Sequence, residues 1–301
     1  MAYIIENANI LKKKKLETTS LLVKDKRISS IRSTLKRYSY VRMNASPYVM
    51  TPPYTVFDPH IPFDKSFSEM KEYYISQFIK KGCTSFLTYT EVEQEYLLRD
   101  KLKSLKAHLL NSPIDFVIGV KIPIRLLTPD FIRKTKREKV PILFVEVEHS
   151  DELFDIPWGW IREAMFPYNA PISPVFKGDK PRDINKSKSI WKEIMEKEKI
   201  PSTKDEIRER EPISFQNLCK IGILPLKSII HQGGEVSYNF YEQSQEISNI
   251  EDSELFLYHN DKLLITVHKD TVIRAGDHVL YRPGFGEHVI INTPSFFVYE
   301  E

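Results

Sequence analysis

Residues 54–62 read Tyr-Thr-Val-Phe-Asp-Pro-His-Ile-Pro. Tyr54 to Phe57 is an aromatic and β-branched run that suits a buried strand. Strand side chains alternate with period two, so a strand carried over 54–60 places Asp58, His60 and position 62 on one face at its end. Asp58 and His60 are metal-ligating residue types, whereas Pro62 has no donor atom. The stretch therefore predicts a strand that ends in two candidate donors, Asp58 and His60.

Downstream, strands alternate with helices. Residues 66–82 predict a helix, with Met70, Tyr74 and Phe78 at i, i+4 and i+8 and Gly82 as its terminator. A Thr, Phe and Tyr-rich strand is expected at 84–90. It is followed by an amphipathic helix at 92–110 with Leu97, Leu98, Leu102, Leu105 and Leu109 on one stripe. Residues 114–122 and 140–147 read as buried strands. Thr128 and Pro129 suit the cap and first position of a helix between them. A broken helix over 150–165 and a fifth strand over 170–176 complete the pattern. Buried strands alternating with helices predict a parallel sheet covered by helices. From 177 to 211 the chain is highly charged, with one helix around Trp191, Ile194 and Met195, whose 0, 3, 4 spacing predicts packing against the body. A last amphipathic segment spans 211–230 and is broken by Pro225.

Both ends read as short strands. Lysines 12–15 are expected at the tip of a solvated hairpin, and Lys24-Asp25-Lys26 at a second turn. Residues 235–301 return to short strands separated by turns such as Gly276-Asp277. Composition is that of an ordinary globular chain: 301 residues, 41% hydrophobic, 28% charged, net charge +3. That balance implies no nucleic-acid partner. No apolar run approaches the roughly 20 residues of a membrane span, so no membrane association is expected. Two cysteines, Cys83 and Cys219, fit a reducing compartment. The opening residues place the apolar part before the basic part, the wrong order for a secretory signal, so the cytoplasm is the expected location.

Four stretches together resemble the amidohydrolase superfamily, in particular its dihydroorotase, hydantoinase and allantoinase branch. They are IIENANIL with SLLVKDKRISSI at the start, TPPYTVFDPHIPF, IKKGCTSFLTY, and the closing ISFQNLCKIGILPLKSII with LLITVHKDTVIRAGDHVLYRPGFGEHV. The resemblance implies an α/β fold, a TIM-like (β/α) barrel at 54–230 beside a small β-sandwich built from both termini, 1–53 and 231–301. It also implies a divalent metal, zinc or manganese, in any active member. The departures are pronounced. Pro62 stands where the family has its second histidine, and Pro53 where it has glycine. The span 54–230 is shorter than the roughly 200 residues or more of a full barrel, so the barrel is expected to be reduced or incomplete. Between 150 and 230 there is no histidine, and no residue matches the family's metal-bridging lysine; Lys121 lies on the third strand instead.

A metal-dependent hydrolase needs several fixed ligands and a base beside the bound water. Besides Asp58 and His60, the chain offers Glu146, Glu148 and His149 at the end of the fourth strand. These five are the candidate metal ligands, vestigial or improvised, and no catalytic residue is assigned. The plain alternative for His60 is a strand-end histidine bonded to Asp58 or a neighbour, and for the glutamates, solvent. His259, His268, His278 and His288 are expected at the surface. Trp158-Gly159-Trp160 is expected to fill core. The sequence thus points to an amidohydrolase-like protein without metal-dependent activity, with no cofactor, acting in binding or assembly. The alternative is an active metal-dependent hydrolase of a cyclic amide or other non-peptide C–N bond. An incomplete barrel exposes strand edges, which predicts a homodimer or a protein partner. Nothing specifies a small-molecule ligand.

Overall fold

The computed structural model describes residues 2–295 apart from positions 13, 179, 245, 246, 248, 249 and 251. Five strands open the chain: β1 (Ala2–Lys12), β2 (Lys15–Lys24), β3 (Arg27–Arg32), β4 (Val41–Asn44) and β5 (Tyr48–Thr51). β1 and β2 form a hairpin that ends with Lys12 opposite Lys15; Lys13 of the predicted lysine tip lies outside the described residues. At the second turn Asp25 and Lys26 both take positive φ, 52° and 61°, the backbone a tight hairpin needs. Four more strands come from the other end: β11 (Tyr238–Glu242), β12 (Leu263–His268), β13 (Thr271–Ala275) and β14 (His278–Val279). β5 pairs antiparallel with β11, and this seam joins both chain ends into one nine-stranded sheet, ordered β14-β13-β12-β11-β5-β1-β2-β3 with β4 beside β1. The expected composite of both termini is therefore a single continuous sheet. A short helix, α7 (Asp252–Tyr258), interrupts the expected strands; at under two turns it is too short to show a period in sequence.

Between the two sets lies the α/β unit: β6 (Tyr54–Phe57), α1 (Phe67–Gln77), β7 (Cys83–Glu91), α2 (Leu98–His108), β8 (Asp115–Pro123), α3 (Pro129–Arg137), β9 (Leu143–Val147), α4 (Trp158–Met165), β10 (Ile172–Phe176), α5 (Pro181–Glu198) and α6 (Phe215–Ile221). The five strands β6 to β10 are parallel and lie in sequence order, a curled half-barrel. Caps set the helix starts. Ser66 and Glu69 form a reciprocal capping box on α1, and Thr128 accepts from Phe131 N–H with Pro129 at the first turn of α3. The outer strand face packs under the helices: Phe86, Ile118 and Val145 meet Tyr74, Leu102 and Phe131 in one cluster. Trp191 is fully buried there, edge-on to Trp158 at 6.1 Å, while Trp160 turns out to solvent.

Both edges of the half-barrel are covered by one extended stretch, residues 201–213. On β10, Ile172 N–H donates to Pro201 O and Thr203 N–H to Ile172 O. On β6, Arg210 N–H donates to Phe57 O at 2.7 Å and Ile213 N–H to Thr55 O at 2.9 Å. Between these anchors Glu206 accepts Phe176 N–H at 2.6 Å. This strap occupies the place of the strands that the short barrel span lacks. The C-terminal segment covers the floor. Gly286 N–H donates to Ser112 O, Phe116 N–H to Glu287 O and Val289 N–H to Phe116 O, so residues 286–289 lie alongside the start of β8. A Cβ on Gly286 would stand 1.9 Å from Ile114 O, so only glycine allows this approach. Residues 286–291, read from sequence with the terminal sheet, thus pack on the barrel.

Candidate functional site

In barrels of this kind the C-terminal strand ends carry the chemistry. β6 stops at Phe57, three residues earlier than expected. Pro59 has no N–H to continue a ladder, and the Asp58 carboxylate takes His60 N–H at 2.9 Å, which turns the chain. Asp58 and His60 therefore do not share a strand face. Asp58 is buried and also accepts the Tyr73 hydroxyl of α1 at 2.6 Å. Burial, then that bond to Asp58, pushes the Tyr73 phenol up, so it stays a donor. His60 is exposed and its Nε2 lies 3.2 Å from Glu209 of the strap.

On the other side of the mouth, Glu146 is engaged by Lys177 and lies 3.6 Å from Lys121. Lys121 also donates to Glu91 at 2.9 Å and stands 5.5 Å from the Tyr89 ring centroid. Burial alone would lower the Lys121 ammonium; Glu91 and Tyr89 outweigh it and hold it above its ordinary range. β9 ends at Val147, so Glu148 does not share a strand face with Glu146 as expected, and His149 follows the strand. Glu148 and His149 are exposed, and their N–H groups donate to Glu152 at 3.1 and 3.0 Å. Among the described residues these five candidates do not gather as a ligand group.

Beneath the mouth the barrel is filled. The rings of Phe57 and Phe144 stack at 4.9 Å, and Tyr89 lies 5.9 Å from the first and 5.2 Å from the second. Gly119 makes room for them, since a Cβ there would meet Ile142 at 2.9 Å and the Phe144 ring at 3.0 Å. Leu87 and Val117 from the strands, Ile207 and Ile213 from the strap, and Ile221 from α6 complete this core. The divalent metal that the fold implies needs a hollow bordered by free donors. Here three aromatic rings occupy the lumen, and Asp58, His60 and Glu146 are bonded within the protein. The residues present do not fit that group.

The carboxylates and imidazole that do converge lie at the opposite end. Donor atoms of Asp115, Glu235 and His268 all fall within 4.8 Å of one another, the one such group among the described residues. Asp115 opens β8 and is fully buried. Lys227 Nζ lies 2.5 Å from its Oδ2, and its Oδ1 accepts from Lys269 at 2.7 Å and from Glu287 N–H at 2.8 Å. Lys227 also bonds Glu235 at 2.5 Å. His268 is fully buried with its ring nitrogens 3.7 Å from Asp115 and from Glu235. This corrects its expected surface position. Burial would raise the Asp115 carboxyl, but His268, Lys227 and Lys269 prevail and hold it below the usual carboxylate range. The cations of this group are lysine ammoniums, and it ties the barrel floor to the terminal sheet. Asp115 and Glu287, its extremes, are 172 positions apart, and the group shares no local motif that a sequence reading could find.

No protein-family model and no curated protein sequence matches the chain. Solved structures do. The chain is similar to L-hydantoinase (dihydropyrimidinase) from Arthrobacter aurescens, with 10% identity, 96% of this chain and 99% of that chain covered, and a TM-score of 0.63. It is similar to dihydropyrimidinase from Brevibacillus agri NCHU1002, with 11% identity, 98% and 100% coverage, and a TM-score of 0.59. D-Hydantoinase from Bacillus sp. AR9 gives 10% identity, 99% and 100% coverage, and 0.57. At these identities the likeness establishes the fold alone: the chain is folded like the hydantoinases and dihydropyrimidinases it is similar to.

Proposed function

We propose that this chain is a non-catalytic protein on the hydantoinase fold, acting in binding or assembly. One observation carries this reading. Phe57, Tyr89 and Phe144 fill the lumen below the mouth, where a hydrolytic centre requires an open, hydrated position. The donors around it support the same conclusion, because the most buried of them, Asp58 and Glu146, are engaged by Tyr73, Lys121 and Lys177. The alternative, hydrolysis of a cyclic amide such as the substrates named for the similar structures, requires His60, Glu146, Glu148 or His149 to leave these positions and converge.

The strand edges that suggested a partner are covered from within by residues 201–213. What supports a homodimer or a protein partner is the exposed aromatic surface on and beside α4, where Phe154, Trp160 and Phe166 are 65%, 63% and 70% exposed. For location, no helix of the described residues is long and apolar enough to cross a membrane, in keeping with the proposed cytoplasmic setting.

The test is metal content and turnover together. Protein purified without chelator is assayed for zinc and manganese and for ring opening of hydantoin and dihydrouracil. The expected result is far less than one metal per chain and no turnover. One equivalent of metal, lost in His60→Ala along with measurable hydrolysis, overturns the reading.

A further inference from the structure

A cavity of about 120 Å³ lies outside the barrel, between α1, the end of α2 and the C-terminal segment. It shares no residue with the mouth or the floor group. Met70 and Tyr74 line it from α1, Ser112 from the segment after α2, and Tyr281 from the C-terminal segment. Two ring pairs frame the sides: Phe63 stacks on His108 at 5.3 Å, and Phe67 meets Tyr281 edge-on at 6.1 Å.

Tyr74 is the informative group. It is 2% exposed, and its hydroxyl is buried without a hydrogen-bond partner among the described residues. Ser112 is the polar side chain that acts on it most, without a formed hydrogen bond, and Ser112 and Tyr281 both line the cavity beside Tyr74. Burial pushes the phenol well above its ordinary value, so it is a neutral O–H donor at any physiological pH. A buried hydroxyl without a partner is costly, and a bound water or a ligand that supplies the bond removes that cost. Ser112 cannot donate to a ligand without giving up Ile114 O, to which its own hydroxyl is bonded at 2.6 Å.

We propose that this cavity binds a neutral, planar, single-ring molecule carrying a hydrogen-bond acceptor, held between aromatic faces with the acceptor on Tyr74 Oη. Size limits the ligand to one ring, since an engineered apolar cavity of roughly 150 Å³ takes benzene. Charge is disfavoured because the buried walls, Tyr74 and Ser112, are neutral. Aromatic walls favour a flat ring over a puckered one.

The experiment titrates the full chain with phenol, with toluene as the ring lacking an acceptor and cyclohexanol as the puckered alcohol, followed by NMR shifts of the Met70 methyl and by thermal shift. Phenol should saturate in roughly the millimolar to micromolar range expected of so small a ligand and bind more tightly than either control. Tyr74→Phe should weaken phenol roughly three- to tenfold and leave toluene unchanged. Met70→Trp should abolish both; should that variant fail to fold, Tyr74→Phe alone decides. Absence of saturation, equal affinity for phenol and toluene, phenol binding indifferent to Tyr74→Phe, or crystals grown with phenol that show only water in the cavity each overturn the proposal. Metal content and hydantoin turnover are untouched by any of these outcomes.

Discussion

Lys227 meets Asp115 at 2.5 Å, with the carboxylate fully buried and the lysine nearly so, where the barrel floor joins the terminal sheet. Breaking such a pair on one side strands the other charge. Asp115→Asn should therefore cost about 3–5 kcal/mol in urea unfolding. The pH dependence has a definite sign. Asp115 is held below its unfolded value, so its contribution is complete above about pH 4 and is lost as pH falls through the folded value. The gap between wild type and Asp115→Asn should be constant from pH 7 to 5 and narrow below about 4.

Phe57→Ala removes one ring of the stack that fills the barrel. The loss should be about 3–5 kcal/mol, the range for a large buried aromatic. If the rings are only filling space, Phe57→Leu recovers much of this in the same unfolding assay. A variant that loses no stability would mean that the lumen is hollow in solution.

Gly286 and Gly159 make a paired test. Gly286→Ala drives a Cβ into Ile114 O, so the C-terminal segment must leave β8, and a loss of about 2–4 kcal/mol is expected. Nothing lies within 4 Å of a Cβ on Gly159 in the first turn of α4. Gly159→Ala should stabilise by about 0.5–1 kcal/mol. A urea midpoint that does not fall in Gly286→Ala would refute the described course of residues 286–289.

His288 stacks on Phe116 at 5.5 Å, and burial, with Lys106 nearby, pushes its imidazole down to about 4. The unfolded chain takes up that proton near pH 6.5, so between about 6.5 and 4 the unfolded state binds more protons and stability falls with falling pH. His288→Phe, which keeps the stack, should flatten that slope. Urea midpoints at pH 7, 6 and 5 decide it.

Much of the fold was legible because its signals are local. Thr128-Pro129 capped α3 as expected, and the continuous apolar runs at 114–122 and 140–147 were β8 and β9. The mouth was less so. Asp58 and His60 carry a strand-like spacing, yet Pro59 and the Asp58 side chain end the strand before it reaches them. Glu146 looked free because Lys177, its partner, lies on the far side of β10 in sequence. The strap was opaque for a further reason. Residues 201–213 are charged and without period, and their bonds to β6 and β10 are made by backbone groups, which leave no side-chain pattern to read.

That strap has a consequence for the girth of the molecule. In a closed barrel, circumference follows from how many strands are present and how far their register is sheared. Here the circuit from β10 back to β6 is completed by a tether pinned at Ile172 and at Thr55 and Phe57. Its contour length, rather than strand count, decides how wide the ring stands. Residues inserted between Thr203 and Glu209 would slacken the ring, and residues removed would tighten it, with every strand pairing left as it is.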